Sequence, residues 1–358
     1  MKILYVITGL AQGGAERVVC DLANSMFEKG HEVKIAYLTG GILTKPNYSE
    51  IELLNINLNS LIGLPLAYQK LSKIIKNYQP DIVHAHMIHA NLFTRLVRMI
   101  TPIKKLICTA HSANEGGKLR MGLYRITHYL SDITTNVSNF ASNAYIEKKA
   151  VPSNGISTVY NGVNFNNFKY NNLARASLGS EFNLASNIKV LLAVGRFHNV
   201  KNYPNLLKAI KLLKEKSILP FRLFIAGDGE LRNEIEKLIE ELNLKNDVVL
   251  LGRRNDIPNL MSACDVFVLS SDYEGLPTVL IEALACQAHA VSTDVSGARE
   301  ILDINGEIVP VNSPVNLMQS IEALLNKSDK NKLGAEFVKN KFDLNHIANQ
   351  WLDLYNEK

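Results

Sequence analysis

Sulfur is scarce and scattered in this chain. Its 358 residues hold 4 cysteines, Cys20, Cys108, Cys264 and Cys286, far apart in sequence. That spacing excludes a CxxC zinc ribbon and a dense disulfide framework, and each thiol is expected to pack as a small apolar group. No apolar run approaches the roughly 18 residues that cross a bilayer. The opening Met1–Thr8 is too short and too strand-like for a secretory signal, and no small-residue cleavage site follows, so a cytoplasmic protein is expected. With 21 Gly and 11 Pro, collagen-like and low-complexity chains are excluded. Hydrophobic residues at 47% and charged residues at 20% sit near the globular average, which argues against disorder. The dinucleotide fingerprint G-x-G-x-x-G is absent, and no two Asp are separated by a single residue.

What is present is length enough for two domains, at about 150 residues each. Charge divides unevenly between them. Residues 1–165 hold 17 Lys and Arg against 10 Asp and Glu, a surplus of +7, whereas the remainder holds 22 against 24, or −2. A basic first half suits an anionic partner (a phosphorylated substrate, a membrane surface or nucleic acid), although a surface composition without function would look the same.

Strand and helix patterns alternate. Buried-strand runs occur at 2–8, 31–38, 80–85, 106–110 and 133–137, with helical periodicity at 15–28, 66–78 and 92–100 and an amphipathic segment at 118–130. Such alternation predicts an α/β fold with a parallel sheet covered on both faces. The pattern lapses after the Asn161-Gly162 turn. The Asn-, Ser- and Lys-rich stretch 166–187 reads as an inter-domain linker. From Ile188 the alternation resumes, with strands at 188–194, 221–226, 248–251, 266–269 and 290–292 and helices at 204–216, 230–242, 277–286 and 315–326. The expected domains are therefore 1–165 and 166–343, both Rossmann-like and doubly wound, with the last helix, 344–358, packing back on the first. Ligands in such sheets sit beyond the carboxyl ends of the strands, which favours a cleft between two facing domains.

Several loops at those strand ends carry chemistry. Gly13 and Gly14 precede the first helix, where small residues let a ligand approach free helix amides; a plain strand–helix turn is the alternative. His111 follows a strand end, Thr109-Ala110-His111. His84, His86 and His89 resemble a metal string, but no acidic or Cys ligand accompanies them, so cleft-lining or structural histidines are the better reading. Arg196 and Lys201 lie in the loop after the first strand of the second half, and a fork and a point charge there suit a diphosphate. Glu274 and Glu282 bracket the start of a helix at Pro277. The amides of Leu276, Thr278 and Val279 can take phosphate oxygens. Glu282 has apolar sequence neighbours, and a buried carboxylate needs hydrogen-bonding partners.

Glu274 and Glu282 form an E-x7-E motif whose setting, SSDYEGLPTVLIEALA, resembles the family 4 retaining glycosyltransferases of GT-B fold. GGAERVV, TAH, YNGVN, VGRFHNVKNYP, IAGDGELR, LGRRNDIP and VSGARE fit the same family in order over nearly the whole chain. The flavour is that of bacterial enzymes that assemble O-antigen, capsule or glycoprotein-linked oligosaccharides on polyprenyl diphosphate. The resemblance implies a nucleotide-sugar donor, a UDP-hexose or UDP-N-acetylhexosamine. It implies that Glu274 and His111 serve the transferred sugar and that Glu282 holds the ribose. Arg196, Lys201, Gly13 and Gly14 would meet the diphosphate, and the Gly252-Arg253 turn the base. Ser296-Gly297 stands where many relatives have Gly-Gly.

Without Asp-x-Asp no metal cofactor is expected; Arg196, Lys201 and the helix N-terminus can neutralise the leaving diphosphate instead. A saccharide or lipid-linked saccharide acceptor is expected, and no nucleic acid, for want of a recognised module. The alternative activity is a nucleotide-sugar epimerase of similar architecture. If 118–125 is helical, Lys118, Met121 and Arg125 share a side with Tyr124 adjacent, a face suited to an anionic membrane; packing of its apolar side on the sheet is the equal alternative.

Overall fold

Continuous apolar runs such as Lys2–Ile7, five of whose six residues are buried, have no polar face to offer water and become inner strands of parallel sheets. The computed structural model describes every residue except Gln12, Asn114, Glu115 and Lys358, and of Leu61 only the backbone. In chain order the first elements are β1 (Lys2–Ile7), α1 (Gly14–Glu28), β2 (Glu32–Tyr37), β3 (Glu52–Asn55), α2 (Leu64–Tyr78), β4 (Ile82–His86), α3 (Ile88–Arg98), β5 (Leu106–Ala110), α4 (Lys118–Thr127), β6 (Ile133–Asn136), α5 (Asn139–Glu147) and β7 (Ser157–Thr158). Then come α6 (Ala174–Phe182), β8 (Lys189–Val194), α7 (Tyr203–Lys216), β9 (Phe221–Ala226), α8 (Arg232–Glu241), β10 (Val248–Gly252), α9 (Ile257–Ala263), β11 (Val266–Leu269), α10 (Thr278–Ala285), β12 (His289–Thr293), α11 (Ala298–Leu302), β13 (Glu307–Val309), α12 (Pro314–Leu325), α13 (Lys332–Phe342) and α14 (Leu344–Asn356).

The chain divides into unit 1, Met1–Gly162 with Leu344–Lys358, and unit 2, Val163–Asp343. Unit 1 holds a parallel sheet in the order β3-β2-β1-β4-β5-β6-β7, and unit 2 one in the order β10-β9-β8-β11-β12-β13. In each, strand order reverses beside the unit's first strand, between β1 and β4 and between β8 and β11. Helices leave the two sides of such a point in opposite directions and open a crevice at the carboxyl ends of the strands. The loops after β1, β4, β8 and β11 are therefore where ligand chemistry belongs.

The division falls at Gly162/Val163, a few residues ahead of the boundary the composition suggests. A Cβ on Gly162 would lie 2.7 Å from the Cα of Leu344, so glycine there lets the returning chain pass. Val163 N–H donates to the Phe342 carbonyl at 2.9 Å.

One sequence expectation needs correction, and between two others the structure decides. The stretch 166–187 is not a linker: it lies inside unit 2 and contains α6, which packs on α9. Its Ala174 and Leu178 are buried, and Arg175 bonds the Ala263 carbonyl and Asp265, partners from distant sequence that local composition does not show. In α4, Met121 and Tyr124 face inward and are buried with Tyr145 and Val151. The exposed side is a different one, Leu119, Leu123 and Ile126. Arg95, fully buried, fixes the inner side: its guanidinium lies 4.0 Å from the centroid of the Tyr124 ring and donates to the Tyr124 carbonyl, Ser131 and Thr134.

α14 packs on α1 in unit 1. It delivers Trp351 and Tyr355 to the core that holds Ile3, Tyr5 and Ile7. Among the described residues no helix is long and apolar enough to cross a membrane.

Candidate active site

At the switch point of unit 1, β1 runs into the glycine loop and α1. Gly13 is the N-cap residue of α1 in an extended conformation, and no side chain caps that helix start. A Cβ on Gly13 would collide with the Glu16 carboxylate, whereas nothing lies within 4 Å of one on Gly14. Gln12 of this loop lies outside the described residues.

Across the switch point, β4 ends at His86, and its neighbour β5 leads to His111. Ladder pairing sets His84 opposite Ile107 and His86 opposite Thr109. Each histidine then reaches the residue two further along β5. His84 Nε2 lies 2.7 Å from Thr109 Oγ1, and His86 Nδ1 lies 3.0 Å from His111 Nε2. Such diagonal pairs on one face of a sheet are within reach of ring side chains. His84 Nδ1 is also 2.8 Å from the Tyr355 hydroxyl, which lies 3.2 Å from that of Tyr5. Thr109 continues the chain to Thr135 at 2.8 Å. Burial disfavours the charged imidazolium, so His84 and His86 are pulled far below the usual histidine range. His111, half-buried, is pulled to about 4 by the protein around it. His89 does not join them: it is exposed on α3. Among the described residues, no three His, Cys, Asp or Glu side chains are grouped to hold a metal.

At the switch point of unit 2, β8 and β9 run into Gly195 and Gly227, and β10 ends in Gly252. A Cβ on Gly227, whose φ is +148°, would overlap the Gly195 carbonyl, and one on Gly229 would press on the Phe197 backbone. These glycines let neighbouring loops close on one another.

The loop after β8 carries Arg196 and Lys201, and both have carboxylate partners. Lys201 Nζ lies 2.7 Å from Glu274 Oε1, and both side chains are half-buried at 20% and 17% exposure. Ser271 Oγ donates to the same oxygen at 2.7 Å, and Ser270 Oγ donates to the Lys201 carbonyl at 2.9 Å. Tyr203 ties the loop down by donating to the Gly195 carbonyl at 2.8 Å. Burial, and then Glu274, push its phenol well above the ordinary range. Arg196 is exposed and pairs with Glu230 at 3.2 Å. His198 lies 3.7 Å from Glu230. Glu230's own backbone amide, and then Arg196, hold its carboxyl below the usual value.

α10 starts at Thr278 with Pro277 as its N-cap residue and no side-chain cap, so the amides of its first turn are not claimed by a capping side chain. Leu276 packs at the end of the preceding loop, where a Cβ on Gly297 (φ +75°) would meet its Cδ1 at 2.7 Å. Ser296 Oγ donates to the Gly275 carbonyl at 2.9 Å. Glu282 sits one turn into α10 and is half-buried, more accessible than its apolar sequence neighbours suggest. Arg253 is exposed next to Gly252, while its neighbour Arg254 is held by Glu181 and Asp256.

Unit 2 thus gathers Arg196, Lys201, Glu274, Leu276, Thr278, Val279, Glu282 and Arg253 on the loops and first turns at one end of its sheet, and unit 1 gathers Gly13, Gly14 and His111 in the same way. Sequence reasoning missed Glu230 and Ser271. Glu230 follows the Gly-Asp-Gly loop that the quoted motifs included. Ser271 is three residues before Glu274, a spacing that suits a hydroxyl bonding a following carboxylate.

Residues 12–167 match the family described as glycosyltransferase family 4, and residues 179–342 match glycosyl transferases group 1. The chain is 28% identical to the N-acetylgalactosamine-N,N'-diacetylbacillosaminyl-diphospho-undecaprenol 4-alpha-N-acetylgalactosaminyltransferase of Campylobacter jejuni, over 92% of this chain and 93% of that one. It is 30% identical to the putative glycosyltransferase EpsF of Bacillus subtilis, over 82% of this chain and 79% of that one. In fold it is similar to HepE of Anabaena, solved with UDP and glucose, with a TM-score of 0.84, 99% of each chain covered and 19% identity.

Proposed function

Since this chain belongs to glycosyltransferase family 4, and is a glycosyltransferase of the GT-B fold, we propose that it transfers a hexose or N-acetylhexosamine, with retention, from a UDP-sugar to a saccharide carried on polyprenyl diphosphate. The product would be a cell-surface glycan of the O-antigen, capsule or glycoprotein-linked type. The observation that carries the donor reading is the cluster of Lys201, Glu274 and Ser271 beside the uncapped start of α10. A leaving diphosphate gains negative charge in the transition state, and a cation and uncapped helix amides meeting it would lower that barrier without a metal. Arg196, Gly13, Gly14, Leu276, Thr278 and Val279 complete the diphosphate contacts. Glu274 and His111 take the transferred sugar, Glu282 the ribose, and Arg253 with Gly252 the base. The lipid-linked acceptor rests on the Campylobacter jejuni relative, whose name specifies a diphospho-undecaprenol substrate. The transferases matched above lend the epimerase alternative no support.

The acceptor reading also gives the basic unit 1 a task. On α4, Leu119, Leu123 and Ile126 stand three and four residues apart on the exposed side, Leu119 at 78% and Ile126 at 64% exposure, and Tyr129 follows at 76%. Lys118, Arg120 and Arg125 are exposed on the same helix. Apolar groups flanked by cations suit an anionic bilayer surface, at about 1 kcal/mol for each cation near the headgroups.

The test is transfer of labelled sugar from UDP-sugars to an undecaprenyl-diphosphate-linked saccharide, to the free saccharide and to no acceptor. Label entering the lipid extract only when donor and lipid-linked acceptor are both present is expected. Equal transfer to free saccharide defeats the lipid-linked reading, and conversion of donor alone revives the epimerase. Flotation on anionic vesicles, lost on changing Leu119 and Ile126 to Asp, is expected; equal flotation of that variant defeats the α4 reading.

A further inference from the structure

Two donors converge on one oxygen of Glu274. Lys201 Nζ and Ser271 Oγ both bond Oε1, each at 2.7 Å. A carboxylate oxygen has two acceptor positions, so both of those on Oε1 are taken. Oε2 has no hydrogen-bond partner among the described residues, and the side chain is half-buried, not sealed in. The carboxylate is held by one oxygen and open at the other.

The two donors differ in how firmly they are placed. Ser271 is fully buried, and the Thr293 hydroxyl, at the end of β12, donates to its carbonyl at 2.5 Å. Three further bonds stitch its loop to the loop after β8. Ser270 Oγ donates to the Lys201 carbonyl at 2.9 Å, Asp272 N–H to the Val200 carbonyl at 2.8 Å, and Asn202 Nδ2 to Asp272 Oδ1 at 2.6 Å. Lys201, by contrast, carries its charge on a flexible four-carbon stem. The proposed function asks that ammonium to meet the leaving diphosphate. Once Lys201 turns to phosphate it no longer fixes Oε1, and Ser271 is the donor that stays.

We propose that Ser271 is a positioning residue for sugar transfer: its hydroxyl holds Oε1 of Glu274 while Lys201 exchanges that carboxylate for the diphosphate, so that Oε2 stays available to a hydroxyl of the transferred sugar. This inference rests on the proposed roles of Glu274 and Lys201 and deepens them. No covalent bond is made or broken at Ser271. Its contribution is to keep the Glu274 side chain in one rotamer, an ordering cost that the sugar would otherwise have to meet on binding.

Ser271→Ala is expected to lower kcat by about tenfold to a hundredfold, the worth of one hydrogen bond to a charged group. Calorimetry with UDP, which lacks the transferred sugar, is expected to give an affinity within about twofold of the wild type. The cycle with Glu274→Ala asks whether Ser271 acts through the carboxylate. On the residual rate of Glu274→Ala, adding Ser271→Ala is expected to cost nothing more. The same fractional loss in both backgrounds overturns the proposal, because Ser271 would then act on the loop and not on Glu274. UDP binding weakened as much as kcat overturns it in the same way. Ser271→Cys keeps nearly the same volume and a weak donor, and its kcat is expected to fall between those of Ser and Ala; a Cys enzyme slower than the Ala enzyme overturns the hydrogen-bond account. If Ser271→Ala does not fold, the Cys variant and its own cycle with Glu274→Ala decide. Ser271→Ala at wild-type kcat, beside a slow Glu274→Ala enzyme, overturns the positioning role alone. Glu274→Ala at the wild-type rate overturns the role of Glu274 itself.

Discussion

The two switch points solve the problem of polar groups at a sheet end in opposite ways. Unit 1 uses neutral groups: Tyr5, His84, Thr109 and Tyr355 are buried and tied to one another by hydrogen bonds, and the buried His86 is tied to His111. Unit 2 uses ions at or near the surface: Lys201 with Glu274, and Arg196 with Glu230. A buried neutral network is costly to disturb, because each lost partner strands a desolvated group. An ion pair near water holds its members loosely and can exchange a carboxylate for an incoming phosphate. The first arrangement suits holding a sugar in one orientation; the second suits capture and release of a charged nucleotide.

Acidification should separate the units most. Histidines held neutral in the fold regain their ordinary affinity for protons on unfolding, so the unfolded chain binds more protons below its pKa of about 6.5. Stability is therefore complete above that pH and is lost as pH falls from it toward the folded value, which for His111 is about 4. Each such histidine contributes up to about 1.4 kcal/mol per pH unit, and His84, His86 and His111 act together. Trp351, the chain's single tryptophan, packs 4.5 Å from His84 by ring centroids and so reports on unit 1. Its fluorescence midpoint in urea is expected to drop between about pH 7 and pH 5. A midpoint that does not move would break the contrast.

The next effect belongs to unit 2. Lys201→Ala is expected to lower kcat by about 10²–10³, the usual loss on removing one electrostatic contact to developing charge, while the Trp351 midpoint stays put. Turnover of the wild type is expected to survive EDTA. Complete inhibition that added metal reverses would show that Lys201 and the start of α10 do not carry the leaving group unaided.

What could be read in advance follows the same divide. The strands were legible because inner parallel strands are unbroken apolar runs, as in Lys2–Ile7 and Val266–Leu269. The candidate loops were legible because E-x7-E, His111 and the Arg196–Lys201 loop each stand just past such a run. The polar network of unit 1 was not, since Tyr355 reaches His84 across 271 positions and no local pattern announces a partner so distant. For the same reason His84, His86 and His89 read as a string, although the sheet sends the first two inward and α3 carries the third to solvent. Segment α6 reads as linker because its few buried residues, Ala174 and Leu178, make too sparse a stripe. The sequence leaves the two faces of α4 as equal alternatives because Met121 and Tyr124 are as apolar as Leu119 and Leu123, and Arg95 beneath them decides which pair is covered.

The smallest expected effect is also the sharpest test of the loose ion pairs. Arg196 and Glu230 are 60% and 48% exposed in their side chains, so water and salt screen their attraction and Glu230→Gln should leave the unfolding midpoint unchanged. Its consequence should be functional. If Arg196 meets the diphosphate as proposed, its fork, freed of Glu230, no longer has to leave a carboxylate first. Calorimetry with UDP is expected to show binding tightened by a few-fold at low salt, with the gain shrinking as ionic strength rises and the interactions of Arg196 with Glu230 and with the ligand are both screened. Arg196→Ala placed on top of Glu230→Gln should cancel the gain, because the carboxylate acts on the ligand through that guanidinium. Weaker binding in Glu230→Gln would mean instead that Glu230 holds Arg196 in the orientation the diphosphate needs, and the ion pairs of unit 2 would then be as much a fixed framework as the histidines of unit 1.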